Sequence, residues 1–342
     1  MSVIDQQLDS PKTSLMDIKT ILMPIQKDMR TLDEVIEKSL RSDVALINQI
    51  SQYLIQAGGK RIRPALVFLI VGAIKNPSLV LHRHEIAAVV EFIHTATLLH
   101  DDVVDGSDLR RGRKTANAVF GNSASVLVGD FLYSRAFQMM VVPGQLKIME
   151  ILSTATNVIA EGEVLQLLNL NDPDVTELRY RQVVQYKTAK LFEASAQLGS
   201  VLANGNDAQY QAAAEFGSCL GIAFQIMDDW LDYASDAESM GKNAGDDLRE
   251  GKPTLPLIYL LNHGTVAQQQ MVQLAIEQSE DLDEDFYQTV LNEVRTSGAL
   301  SYTLNQAKIE VEKAKACLSA FEENEFTKSL RALCDYSIAR SF

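Results

Sequence analysis

The chain has 342 residues, 46% of them apolar, which is enough for a sizeable core and too many for a disordered chain. With 45 acidic against 31 basic residues its net charge is −14, which argues against a nucleic-acid partner. Cys219, Cys317 and Cys334 are scattered and in no metal-ligand spacing, a pattern that suits a reducing compartment rather than a disulfide framework.

In chain order, MSVIDQQLDSPK is polar and lacks a signal-peptide pattern, so residues 1–12 read as a frayed tail before one domain spanning 13–342. Apolar residues then recur at helical spacing over about 16–40 and 43–57, with Pro24 marking a kink or a start. AGGKRIRP reads as a turn. The apolar run that follows, Pro64 to Ile74, is well short of the ~20 residues that a membrane span needs. In HEIAAVVEFIHTATLLHDD, Ile86, Val89, Val90 and Ile93 keep the rhythm of a buried helix face. Further helical runs cover about 121–141, 145–168, 175–203, 207–233, 265–279 and 301–321, with one more at the end. VPGQ, NDPD, NGND and EGKPTLP fall between them as turns. Strand-like alternation is essentially absent. The pattern predicts one all-α bundle.

Two of these helices end in aspartates. Asp101 and Asp105 share a helix face one turn apart, about 5.4 Å, with Asp102 some 100° round. Asp228, Asp229 and Asp232 repeat the arrangement. Carboxylates at this spacing suit a hard cation such as Mg²⁺ that completes its shell with substrate phosphates. A solvated helix end is the plainer reading for one copy. Two copies at the ends of apolar helices, neither with Lys or Arg at i+4, favour metal binding.

Cations bunch in loops: Lys60, Arg61 and Arg63; Arg110, Arg111, Arg113 and Lys114; Lys187 and Lys190, flanking Thr188; Lys242 and Lys252. Each alone reads more readily as a solvated loop. Beside metal-binding carboxylates they describe a site for two polyanions, one held through Mg²⁺ and the other directly by Lys and Arg.

The ordered motifs GGKRIRP, HDDVVD, DLRRG, GDFLYSRAF, EGEVLQL, KTAKLFEA, FQIMDDWLDY and GKNAGDDLREGKPTLP closely resemble those of the trans-isoprenyl diphosphate synthases, within them the bacterial long-chain, octaprenyl-type branch. The resemblance runs from about residue 20 to the C-terminus. It implies a helical bundle of the isoprenoid synthase type around an apolar cavity, a homodimer, and a cytoplasmic enzyme touching membranes only in passing through its lipid product. It also implies that Asp101, Asp102, Asp105, Asp228, Asp229 and Asp232 hold three Mg²⁺ against the allylic diphosphate. Arg110, Lys187, Thr188, Gln225 and Lys242 match contacts to that diphosphate, and Lys252 a second lysine after the second motif. Lys60, Arg63, His94 and Arg111 match the isopentenyl diphosphate site.

The chemistry so implied is head-to-tail condensation. Isopentenyl diphosphate attacks an allylic cation formed from a primer such as farnesyl diphosphate, and the released diphosphate takes the proton. In this family small residues below the first motif open the way to long products, and Ala96 and Thr97 stand there; the same small residues also permit ordinary close packing. Phe137, Met140 and Leu152 are candidates for the floor of the pocket or for plain core. The implied product is octaprenyl, with nonaprenyl (solanesyl) as the alternative, for quinone side chains. Three rivals are weaker. A di-iron bundle needs a second Glu-x-x-His beside Glu91–His94. A phosphohydrolase built on His100–Asp101 leaves the second motif unexplained. A non-catalytic subunit of a heteromeric synthase would have degraded motifs.

Overall fold

Pro24 proves to be a start. Ile18–Ile21 (α1) gives way to a 3₁₀ turn at Met23–Ile25, where the N–H that proline lacks is not needed, and Gln26–Ser39 (α2) follows. The computed structural model describes residues 17–110, 112–234 and 245–339; the tail 1–12, Arg111 and Lys242 lie outside the described residues. Ala45–Ala57 (α3), Ile62–Ile74 (α4), Arg83–Val104 (α5), Ala116–Phe120 (α6), Asn122–Met140 (α7) and Leu146–Leu168 (α8) come next. Glu177–Val183 (α9), a π-helical turn at Val184–Ala189 and Lys190–Leu202 (α10) run on as one rod. Asp207–Ala234 (α11) is the longest described helix. Asp246–Arg249 (α12), Leu255–His263 (α13), Val266–Glu277 (α14), Glu284–Thr296 (α15), Ala299–Cys317 (α16) and Glu325–Ala339 (α17) complete the bundle.

Part of GGKRIRP is helix rather than turn. Arg61 caps α4 in a left-handed conformation (φ +45°), and Pro64 sits in the first turn, where it breaks no hydrogen bond. α4 has no polar face, being buried from Ala65 to Ala73, and so lies at the centre. It packs on α5, α10 and α17, while α11 packs on α10 and α16. Small residues set the closest approaches. A Cβ on Gly217 would lie 2.5 Å from the Phe192 carbonyl oxygen, and one on Gly221 would lie 2.6 Å from Ala189 Cα. α11 therefore lies directly on the rod that carries Lys187.

One element departs from the all-helical reading. Leu109–Arg110 (β1) pairs antiparallel with Arg113–Lys114 (β2), Leu109 opposite Lys114, with Gly112 at φ +72° in the turn. Two-residue strands are too short to leave a periodic trace in the sequence. Among the described residues no helix is long and apolar enough to cross a membrane.

Candidate active site

The ends of α5 and α11 face one cavity of about 340 Å³. Asp101 and Asp105 line it from one side, Asp228 and Asp229 from the other. Asp102 and Asp232 do not. Asp102, a third of a turn from Asp101, is buried against the hairpin, where its carboxylate accepts from Arg110 Nε at 2.9 Å and pairs with Nη2 at 2.7 Å. Asp232 turns toward α12 and accepts the backbone N–H of Asp247 at 3.2 Å. Of the six carboxylates expected to hold the cations, four stand in the wall and two behind it. At Asp101–Asp102 the roughly 100° between consecutive side chains sends the second behind the wall, whereas Asp228 and Asp229 both reach the cavity.

Lys187 Nζ donates to Glu163 at 2.6 Å and stands 3.6 Å from Asp101. Its neighbour Thr188 also lines the cavity, both residues standing in the π turn at Val184–Ala189. Gly162 makes room, since a Cβ would lie 2.7 Å from the Lys187 backbone nitrogen. Thr188 Oγ1 donates to Gln225 Oε1 at 2.8 Å, Gln225 Nε2 donates to Asp229 at 2.8 Å, and Tyr180 Oη donates to the other Asp229 oxygen at 2.6 Å. Lys252 Nζ reaches Asp105 at 3.1 Å and also binds Glu250.

Arg63 and His94 meet at 3.1 Å in the same wall, with the Arg63 guanidinium 4.4 Å from the Phe192 ring centre. Lys60 is exposed and lies outside the wall, over the Tyr336 ring at 5.3 Å. Leu98, Leu170, Val175, Val184 and Phe224 give the cavity its apolar side. Of the small pair below the first motif, only Thr97 borders it. Ala96 is sealed in the main core, as are Met140 and Leu152, and Phe137 is 44% exposed on α7. None of these four lines the described cavity. Phe137 in particular faces outward because α7 shows it to solvent rather than to α5.

Burial dominates the electrostatics. It raises the Asp101 carboxyl, with Lys187 pulling the other way, and lifts Glu163 to about 7, with Asp101 adding to the rise against the pull of Lys187. Burial and then Asp247 push Asp229 up to about 8 and Asp232 to about 9. Lys252 keeps its charge: burial opposes it, but Asp247, Glu250 and Asp105 outweigh burial and hold its pKa above the ordinary value. Among the described residues no three metal-ligating side chains already stand close enough to hold an ion. The carboxylates of the wall nevertheless fit a hard divalent cation, which takes oxygen donors.

Glu163, Tyr180, Asp247 and Glu250 also line the cavity, and none of them had a role assigned from sequence. Glu163 lies in EGEVLQL, and Asp247 and Glu250 in GKNAGDDLREGKPTLP, which was the available signal. Tyr180 had none, because one tyrosine on a helix is usually core.

An all-α bundle with two aspartate-rich helix ends and a cationic rim over an apolar hollow defines a diphosphate-handling enzyme. The sequence profile of polyprenyl synthetases matches residues 44–294. The octaprenyl diphosphate synthase of Escherichia coli (strain K12) is 48% identical over 95% of this chain and 99% of its own. An all-trans-nonaprenyl-diphosphate synthase (geranyl-diphosphate specific) of Rhodobacter capsulatus is 41% identical, covering 94% of this chain and 97% of its own. A polyprenyl synthase of Caulobacter crescentus, crystallised with calcium and isoprenyl diphosphate, superposes with a TM-score of 0.90 at 41% identity over 95% of this chain and 98% of that one. The chain belongs to the polyprenyl synthetase family and is a prenyltransferase.

Proposed function

We propose that this prenyltransferase is a long-chain all-trans synthase that adds isopentenyl diphosphate head-to-tail to an allylic primer such as farnesyl diphosphate, yielding an octaprenyl product for quinone side chains. The carrying observation is the one cavity in which carboxylates from α5 and α11, cations from separate elements and an apolar wall meet. A nonaprenyl product is the second reading, favoured by the Rhodobacter relative. Both aspartate motifs are complete, which speaks against a non-catalytic subunit.

Asp101, Asp105, Asp228 and Asp229 would hold the divalent cations, taken here as three Mg²⁺. When bound, these supply Lewis-acid stabilisation of the departing diphosphate. Lys187, Lys252 and the Thr188–Gln225 pair offer donors to the same allylic group, so negative charge developing on it meets oriented dipoles and cations. Lys242 and Arg111 are proposed to join them, Arg111 on the isopentenyl side with Lys60, Arg63 and His94. The allylic C–O bond breaks with its electrons leaving on diphosphate, and the isopentenyl double bond forms the new C–C bond. The released diphosphate then takes the proton. Leu98, Val184 and Phe224 keep water from the cation.

Leu127, Phe137, Leu146, Val164 and Leu167 leave α7 and α8 an exposed apolar stripe, which supports a homodimer covering it, to be read by light scattering. The enzyme is taken to work in the cytoplasm, touching membranes only through its product. The deciding assay supplies purified protein with farnesyl and isopentenyl diphosphates and Mg²⁺, follows diphosphate release and chromatographs the product. Diphosphate release dependent on both substrates and a product of eight isoprene units are expected; phosphate release without isopentenyl diphosphate would overturn the reading. Thr97→Tyr is expected to shorten the product. An unchanged length distribution in that variant would remove Thr97 from the path of the growing chain.

A further inference from the structure

Two turns that the sequence marks only as breaks, NDPD after α8 and EGKPT before α13, dock on each other. The backbone N–H of Asn171 donates to the Gly251 carbonyl at 2.9 Å, and the Ser279 hydroxyl donates to Asn171 Oδ1 at 2.9 Å. Both partners are left-handed, Asn171 at φ +58° and Gly251 at φ +69°. Glycine adopts this region freely and asparagine more readily than most residues. A Cβ on Gly251 would lie 2.0 Å from Asn171 Oδ1 and 3.0 Å from Ser279 Oγ, so the contact requires glycine. From the other side Arg179 stakes the NDPD turn to α9, donating to Asp172 at 3.0 Å and to Asn169 Oδ1 at 2.6 Å.

The residue after Gly251 is Lys252, whose ammonium must reach across the cavity to Asp105. Its own loop is short: α12 is a single turn, and the Lys252 backbone N–H donates to the Asp247 carbonyl at 2.8 Å while its carbonyl accepts from the Thr254 N–H at 3.0 Å. Asn171 and Ser279 do not line the cavity, whereas the adjacent Leu170 and Lys252 do. They stand behind the wall: Ser279 fixes the Asn171 side chain, and the Asn171 backbone N–H holds the loop at Gly251, the residue before the lysine.

We propose that Asn171 and Ser279, acting through Gly251, are positioning residues that fix Lys252 over the first aspartate motif to receive the allylic diphosphate, an inference that rests on the prenyltransferase function above. The contact sets where the ammonium sits, and therefore how tightly the allylic substrate is held, without touching the isopentenyl side at Arg63 and His94.

The test is steady-state kinetics of Asn171→Ala and Ser279→Ala, each alone and in a Lys252→Ala background, with both substrates varied and Tm recorded. Loss of one such hydrogen bond is expected to raise the allylic KM about 3–10-fold while leaving the isopentenyl KM within about twofold. In the Lys252→Ala background the same changes are expected to add nothing. Additive effects there, an equal rise in both KM values, or a loss seen only in Tm would overturn the proposal. Failure of the wild-type protein to condense the two diphosphates would instead sink the functional reading, and the two failures are thereby told apart.

Discussion

The two aspartate motifs share a pattern in sequence but differ in how the fold balances their charge. On α5 each carboxylate has a cation: Lys187 for Asp101, Arg110 for Asp102, Lys252 for Asp105. On α11 Asp229 and Asp232 are met by neutral donors, the Tyr180 hydroxyl, the Gln225 amide and the Asp247 N–H, and Asp247 adds negative charge beside them. The first motif is a balanced surface on which cations can be exchanged. Burial and neighbouring negative charge work against ionisation at Asp229 and Asp232, which an added cation would offset.

The sharpest way to break this contrast is to remove one carboxylate from each wall. Asp101→Ala and Asp228→Ala are each expected to lower kcat by about 10²–10³-fold or more in a Mg²⁺-titrated assay, with the far-ultraviolet circular dichroism unchanged. Near-normal turnover of either would end its role. Asp102→Asn should cost less, about tenfold in kcat/KM, because that carboxylate stands behind the wall and pairs with Arg110. If it matched Asp101→Ala, the division into wall and support would be wrong.

Next in size is the pairing itself. Lys187→Met leaves Asp101 and Glu163 facing each other without their cation, and kcat/KM for the allylic substrate should fall about 10–100-fold. Glu163→Gln, which keeps a hydrogen-bond acceptor, should cost no more than about tenfold. A larger loss in Glu163→Gln than in Lys187→Met would reverse the roles assigned to the two.

The smallest effect is on stability. Asp229 and Asp232 titrate at about 8 and about 9 in the fold, against about 4 in the unfolded chain. Raised carboxyl values mean that the native state binds the extra protons. The stability these groups contribute is complete below about pH 4 and is lost as pH rises through about 8 to 9. Metal-free protein should therefore lose several degrees of Tm between pH 6 and pH 9 by scanning calorimetry, and Asp232→Asn should flatten the slope. Added MgCl₂ should restore more at pH 9 than at pH 6. An equal slope in Asp232→Asn would place the titration elsewhere.

Much of this site is legible in the sequence because its chemistry is carried by local pattern. Helical periodicity places Asp101 and Asp228 at the ends of apolar helices, and the clustered cations include Arg63, Lys187 and Lys252, all of which line the cavity. What local pattern lacks is direction. Ala96 and Thr97 are neighbours in sequence, yet one is sealed in the core and the other borders the hollow. Phe137 reads as core from its neighbours and stands 44% exposed on α7.

The sequence by itself determined most of the helices and the residue types of the chemistry, since propensity and spacing act over a few residues. Only the tertiary structure decided which members of each cluster face the cavity, that a π turn aims Lys187 and Thr188 together, and that Asn171 meets Gly251. Those outcomes depend on close packing between elements remote in the chain, and no local window contains both sides of such a contact.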